Sequence, residues 1–161
     1  METAPILAID PGTRQSAWVL YDPGERAVLG HGLEDNTEVL SLGELESPGI
    51  RVVCEMVASY GRPVGAEVFE TVKWIGRFEQ RVCEVGKAMS LLYRRDVTSF
   101  LCGNSKGVND AVVRQRLIDL FGPSKEVAVG RKASPGPLYG IRADEWQALA
   151  LAVTFAGGHH A

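Results

Sequence analysis

Short apolar runs alternate along this chain with longer stretches in which apolar residues recur every three to four positions, a pattern typical of strands alternating with helices. The first run, residues 5–10, reads Pro-Ile-Leu-Ala-Ile-Asp and ends in the carboxylate of Asp10. Pro11 and Gly12 follow as a turn. Burying an unpaired carboxylate is costly, so such an acid needs hydrogen bonds, a cation or water. The same residues are also typical of a plain strand-to-turn junction.

The remaining pattern predicts an α/β fold with a mixed central β-sheet flanked by helices. Tight turns link the first three strands, which favours an antiparallel meander. The proline- and glycine-rich segment 124–140 is expected to form a long surface loop. Further strands are predicted over 16–22, 27–33, 50–55 and 89–93, and helices over 36–46, 65–83, 96–102, 110–121 and 143–155.

Composition narrows the class of protein. With 161 residues, 45% hydrophobic and 23% charged, the chain is expected to form a single domain over 1–161. It has no apolar run of about 18 residues and no signal-peptide pattern, which predicts a cytoplasmic protein with no membrane partner. Three widely spaced cysteines indicate neither a zinc site nor a disulfide framework. A net charge of −3 argues against a protein that coats nucleic acid, but it is compatible with a nuclease.

Three acids each stand at the end of a predicted element. Asp10 and Glu55 close apolar strands, and Asp144 lies in the first turn of the last helix. If the fold brings them together, their like charges raise one another's pKa unless a divalent cation joins them. Oxygen-only ligands favour Mg²⁺ or Mn²⁺. Two such ions roughly 4 Å apart can activate water and stabilise a leaving oxygen, so the acids predict a two-metal phosphoryl-transfer site.

Several motifs together resemble the RuvC-like Holliday junction resolvases of the RNase H-like fold, and the phage-type branch in particular. The strongest are Ile-Asp-Pro-Gly-Thr at 9–13, the strand that ends in Glu55, and Asp-Glu-Trp-Gln-Ala-Leu-Ala-Leu-Ala from Asp144. Asp-x-Gly-Thr also occurs in actin-like ATPases, but that fold needs two such domains. Other matching segments, in chain order, are 58–61, 69–71, 74–78, 101–103 and 135–140.

This resemblance implies a homodimer that resolves four-way DNA junctions by paired symmetric nicks, in the host cytoplasm if the protein is phage-encoded. Asp10, Glu55 and Asp144 would hold two Mg²⁺ ions per active site, and Mn²⁺ would substitute. These residues and Gln147 are the candidate catalytic residues.

Gln147 departs from the family pattern, which often has a second acid three residues after the position of Asp144. Residues at i and i+3 share a helix face, so the amide could approach the metals or water without supplying charge. A compensating fourth acid could come from Glu67, Glu70 or Glu145, although Glu145 points elsewhere on the helix.

The resemblance also indicates how DNA would be held. An aromatic residue after the second acid often stacks on an opened base, and Tyr60 is the nearest candidate here. Where some members have a lysine this chain has Thr98, so Lys106 or Arg94 could contact phosphate instead. The candidate DNA-binding residues are Tyr60, Arg62, Arg94, Arg95, Lys106, Arg114, Arg131 and Lys132.

The sequence therefore predicts a metal-dependent, structure-selective endonuclease that acts on branched DNA. Two alternatives stay open. One is an RNase H-fold nuclease that acts on structured RNA. The other is a junction-binding protein in which the missing fourth acid at Gln147 has weakened or abolished catalysis.

Overall fold

A five-stranded mixed sheet organises the chain, with strand order β3-β2-β1-β4-β5. The computed structural model describes residues 3–158. The first three strands pair antiparallel, whereas β4 lies parallel to β1 and β5 parallel to β4. This arrangement confirms the predicted meander and mixed sheet. The strands are β1 (Ile6–Asp10), β2 (Gln15–Asp22), β3 (Ala27–Asp35), β4 (Arg51–Met56) and β5 (Met89–Tyr93).

Helices cover both faces of the sheet. They are α1 (Asn36–Leu40), α2 (Ala66–Cys83), α3 (Arg94–Cys102), α4 (Asp110–Phe121), α5 (Lys125–Ala128) and α6 (Glu145–Ala156). Within residues 3–158, none is long and apolar enough to cross a membrane.

Alternation along β1 sends its side chains into two separate cores. Ile6 and Ala8 pack with the cluster that contains α3, α4 and α6. Leu7 and Ile9 pack on the other face with α2 and the segment after β3. Successive strand residues point to opposite faces, so a continuous apolar run is what a strand covered on both sides requires. The α6 helix is buried along nearly all of its length, as its apolar sequence predicts.

The predicted helix over 36–46 is shorter than expected. The α1 helix ends at Leu40, and a separate 3₁₀ turn forms over Gly43–Leu45. Leu42 between them is extended, with φ −63° and ψ 125°. Glycine within a helix costs about 1 kcal/mol relative to alanine, which favours a break beside Gly43. Both halves still bury an apolar side chain, Val39 from the helix and Leu45 from the turn.

The predicted loop over 124–140 contains regular structure instead. Ser124 caps α5 by accepting a hydrogen bond from the Val127 N–H at 3.4 Å. A hairpin then follows, formed by β6 (Gly130–Arg131) and β7 (Ser134–Pro135). A Cβ on Gly136 would lie only 2.3 Å from the Val127 carbonyl oxygen, so the base of this hairpin packs tightly on α5. Elements this short have no measurable hydrophobic period, and prediction from pattern therefore missed them.

We expect burial to decide the cost of aromatic truncation on α2. Phe78 is 0% exposed and Phe69 is 61% exposed on the same helix. Phe78→Ala removes a fully packed ring and should lower the free energy of unfolding by about 3–5 kcal/mol. Phe69→Ala, the matched control, should change it by no more than about 0.5 kcal/mol. Urea unfolding followed by circular dichroism measures both, and similar losses in the two variants would contradict this packing.

Candidate active site

Parallel pairing of β1 with β4 places the first two acids side by side. Ile9 lies opposite Cys54 in the register, and the next residue on each strand is Asp10 or Glu55. Both strands run in the same direction, so the two carboxylates share one rim of the sheet. The two side chains are close enough to interact, since the charge of Glu55 raises the pKa of Asp10.

A small polar network holds the turn that follows Asp10. The Ser16 hydroxyl donates to Asn36 Oδ1 at 2.5 Å, and the Asn36 amide donates to the Gly12 carbonyl oxygen at 2.9 Å. The Gly12 N–H donates in turn to Ser16 Oγ at 3.2 Å. A Cβ on Gly12 would lie 2.3 Å from the Gln15 carbonyl oxygen, so the tight turn needs glycine here. These contacts fix the backbone just beyond Asp10, since Ser16 and Asn36 are themselves buried.

The N-terminus of α6 brings the third acid to this rim. Asp144 is the N-cap residue of α6, and the preceding Ala143 has a positive φ of 48°. The charge of Asp144 also raises the pKa of Asp10. A carboxylate is favourable at a helix N-terminus because the helix dipole is positive there. The fold thus brings together the three acids that the sequence predicted from three separate elements.

Burial and crowding perturb these carboxyl groups. Burial, then the charges of Glu55 and Asp144, raise the pKa of Asp10 to about 8, and the nearby positive charge of Arg94 opposes the shift. Burial also raises the pKa of Glu55, again against the effect of Arg94. The site therefore holds acids that resist ionisation unless additional positive charge approaches them.

A fourth acid, Asp110, belongs to this cluster and was missed from the sequence. It is the first residue of α4, and its charge raises the pKa of both Asp10 and Glu55. An Asp at the start of a predicted helix commonly serves only to cap or begin that helix, so its position alone did not indicate a role in the site. The criterion that identified the other three acids, an acid at the end of an element, applies to Asp110 as well.

Arg94 links Asp110 to Gln147. Arg94 is the first residue of α3, directly after β5. Its Nη1 donates to Gln147 Oε1, and its Nη2 donates to Asp110 Oδ1 as an ion pair. Gln147 occupies the position of the expected second acid. It is therefore connected to the acid Asp110 through Arg94.

None of the three acids considered as a replacement at position 147 acts on the pKa of Asp10 in the described residues. Glu145 is 1% exposed and pairs with His31 Nδ1, with Arg142 Nε 3.4 Å from its second oxygen. Glu70 pairs with Lys73 Nζ at 3.4 Å on the exposed face of α2. Glu67 lies exposed in the first turn of α2. In the part of the chain that the structure describes, the acids that act on the pKa of Asp10 are Glu55, Asp144 and Asp110.

The types of side chain in the cluster are suited to a divalent cation, although their arrangement does not form a complete binding site. Among residues 3–158, no three His, Cys, Asp or Glu side chains are arranged so that they could hold a metal ion. The donors nevertheless are carboxylate oxygens only, the ligands that Mg²⁺ and Mn²⁺ prefer. Mutual repulsion also raises the pKa of Asp10, and a bound cation would relieve that repulsion.

Residues of α4 and of the N-terminal end of α6 line a groove that includes two of the acids, Asp110 and Asp144. It has a volume of about 570 Å³, and its lining also includes Gln147, Arg114 and Lys125. The guanidinium of Arg114 stacks on the Trp146 ring, 4.9 Å from its centroid. Of the predicted DNA-binding residues, Arg94 and Arg114 are therefore the two that the structure connects to the acid cluster.

The other predicted DNA-binding residues are exposed and lie in loops, in α3 or in the hairpin. Tyr60 has a positive φ of 50°, and the Arg95 guanidinium lies 5.5 Å from its ring centroid. This contact joins the loop after β4 to α3. The remaining four are exposed at three separate places: Arg62 in the loop after β4, Lys106 between α3 and α4, and Arg131 and Lys132 in the hairpin.

Comparison with known proteins finds similarity in structure but not in sequence. No protein-family model matches the chain, and no curated protein matches it. A structure of Thermus thermophilus RuvC is similar with a TM-score of 0.62 and 17% identity, over 94% of this chain and 93% of that chain. Thermus thermophilus RuvC in complex with a Holliday junction substrate is similar with a TM-score of 0.63 and 17% identity, over 98% of both chains.

These likenesses extend over almost the whole of both chains, and the sheet order and flanking helices agree with the fold that the sequence motifs imply. At this low identity the likeness is one of fold. The chain therefore has a RuvC-like, RNase H-like fold, with four carboxylates and an arginine gathered at one rim of its sheet.

Proposed function

We propose that this protein is a structure-selective DNA endonuclease that resolves Holliday junctions and other branched DNA by paired symmetric nicks. The observation that carries the proposal is the convergence of Asp10, Glu55 and Asp144 at one rim of a RuvC-like sheet. The RuvC structure determined with a Holliday junction substrate adds support for the choice of DNA. Because one fold can serve many activities, the acids and not the fold carry the argument for hydrolysis.

In this proposal Asp10, Glu55 and Asp144 hold Mg²⁺, two ions per active site, with Mn²⁺ able to substitute. Bound at carboxylates, such ions supply Lewis-acid stabilisation of the charge that develops during phosphodiester hydrolysis. The protein contributes the donors, and the network of Gly12, Ser16 and Asn36 keeps Asp10 in position.

DNA is held mainly through its phosphates. The groove lined by Arg114 also contains Asp110 and Asp144, so a strand bound in it would have its backbone beside the acids. Tyr60 is exposed beside Arg95 and is available to stack on an unpaired base. Phosphate contacts carry no sequence information directly, so selectivity would come from the shape of the junction.

Paired nicks require two active sites, so the proposal includes a homodimer. In such a dimer the two sites would lie on one face of the assembly and act on opposite strands of the junction.

Asp10→Asn is expected to abolish cleavage and preserve binding. The amide keeps the shape of the side chain but removes the negative charge that would hold the cation. We expect cleavage of a synthetic four-way junction in Mg²⁺ to fall by at least about 100-fold, with the dissociation constant for the junction changed by less than about threefold. Gel assays of cleavage and, in Ca²⁺, of binding measure the two effects. Asp119→Asn, an exposed position on α4, is the matched control and should cleave normally.

Three results would contradict the proposal in different ways. Full cleavage by Asp10→Asn would remove the assigned site. Preferential cleavage of structured RNA would favour the RNase H-fold alternative. Junction binding by the wild type without any cleavage in Mg²⁺ or Mn²⁺, together with cleavage by Gln147→Asp, would favour the inactive junction-binding protein.

Stability without metal is expected to fall as pH rises towards 8. The folded protein holds a proton on Asp10 with a pKa near 8, whereas an aspartate in the unfolded chain has a pKa of 3.8. Between these values the folded state binds more protons, so the free energy of unfolding decreases with pH. In EDTA, urea unfolding at pH 5, 6.5 and 8 should give a shallower decrease for Asp10→Asn than for the wild type. Equal slopes in the two proteins would contradict the pKa assigned to Asp10.

Mn²⁺ is expected to reverse this loss. A cation that binds the ionised acids competes with the proton on Asp10, so it should raise the melting temperature more at pH 8 than at pH 6. Thermal unfolding in Mn²⁺ or EDTA measures this difference. The Asp10→Asn variant should gain little, and an equal gain in that variant would show that Mn²⁺ binds elsewhere.

A further inference from the structure

Arg94 is the one positive charge that acts on the pKa of both Asp10 and Glu55 within the described residues. Its side chain is partly buried, with 29% of its surface exposed, whereas its partner Asp110 is 76% exposed. An arginine at such a position could extend towards solvent. It is instead bonded on two sides, by Asp110 from α4 and by Gln147 from α6.

The two partners leave the guanidinium able to bind a further group. Each accepts a hydrogen bond from a different terminal nitrogen, and these bonds use only part of the N–H donors of arginine. Arginine commonly binds a phosphate through such N–H donors. The held arginine therefore has donors to spare, at the end of β5 beside β4, where its charge acts on Asp10 and Glu55.

The chemistry of Gln147 is suited to this arrangement. An amide oxygen orients Arg94 without neutralising it, whereas a carboxylate at the same position would add a second negative partner beside Asp110. Arg94 would then be compensated twice and would attract a phosphate less strongly. Gln147 therefore has a function of its own, the orientation of Arg94, and is not merely the absence of an acid at position 147.

We propose that Asp110 and Gln147 are positioning residues that hold the Arg94 guanidinium beside Asp10 and Glu55, where it binds the phosphodiester group undergoing cleavage. Arg94 itself touches the substrate, and the other two residues act through it. The inference rests on the proposed nuclease function and specifies how this site neutralises the charge of the reacting phosphate.

Single-turnover cleavage of a four-way junction at saturating enzyme tests the arrangement. Arg94→Ala should lower the cleavage rate by about 100-fold, since it removes a donor aimed at developing charge. Asp110→Ala and Gln147→Ala should each lower it by about tenfold, a loss typical of removing a group that orients a functional residue. For both positioning variants the dissociation constant should stay within about threefold of the wild-type value, because they misplace Arg94 and remove no DNA contact.

A double-mutant cycle separates positioning from an independent effect. In the Arg94→Ala background, adding Asp110→Ala or Gln147→Ala should change the rate by less than about twofold, because the group they orient is already absent. Losses that multiply fully in this background would overturn the proposal.

Gln147→Glu supplies a second test, because the positioning role and a missing metal ligand at position 147 predict opposite changes in the cleavage rate. A carboxylate should pair with Arg94 and lower the cleavage rate by about tenfold. If position 147 instead lacks a useful metal ligand, the same substitution should raise the rate, and that result would overturn the proposal. Arg81 on α2 pairs with Glu46 and Glu84, away from the acid cluster. Arg81→Ala is therefore a control at an unrelated charged contact and should leave the rate unchanged.

A readout that does not depend on cleavage keeps this inference separate from the proposed function. Side-chain ¹⁵N–¹H NMR should show slow rotation of the Arg94 Nη groups in the wild type and faster rotation in both Asp110→Ala and Gln147→Ala. If the wild type fails to cut junctions, the nuclease proposal fails, and the NMR result then decides whether Arg94 is held. Free rotation of Arg94 in the wild type would overturn the positioning role whatever the activity.

Discussion

Parallel pairing between β1 and β4 is the constraint on which the site depends. It forces Asp10 and Glu55 to the same rim, where burial and like charge oppose their ionisation. The other parts of the site are arranged around these two acids. The turn at Gly12 is tied to Ser16 and Asn36, and α6 starts at Asp144 on the same rim.

The cluster is an example of a functional site that is unfavourable for stability. A carboxyl group with a pKa near 8 lowers stability in the pH range where most proteins are most stable. Burial of apolar side chains in the two cores on either side of β1 offsets this local loss of stability. Arg94 reduces it further by bringing positive charge to Asp10 and Glu55. Such a site is poised to gain stability when a cation or another positive group binds.

The likeness to Thermus thermophilus RuvC at 17% identity shows how little of the sequence this fold requires. Apolar character at alternating strand positions, breaks at turns and a buried last helix are enough to specify the layers. The fold leaves the chemistry of the rim to individual side chains, here the acids together with Arg94 and its partners Gln147 and Asp110. Function must therefore be argued from those residues and not from the fold.

The sequence by itself determined the five main strands, the long helices and three of the acids, because each carries a strong local signal: an apolar run, a helical period, or an acid at the end of an element. Local signals could not reveal the break after Leu40 or the hairpin at Gly130, where packing over a few residues decides the backbone. Only the tertiary structure brought Asp110 and Gln147 onto Arg94, residues distant in sequence whose side chains meet where α3, α4 and α6 converge. Contacts of this kind depend on the relative placement of helices, which hydrophobic periodicity does not encode.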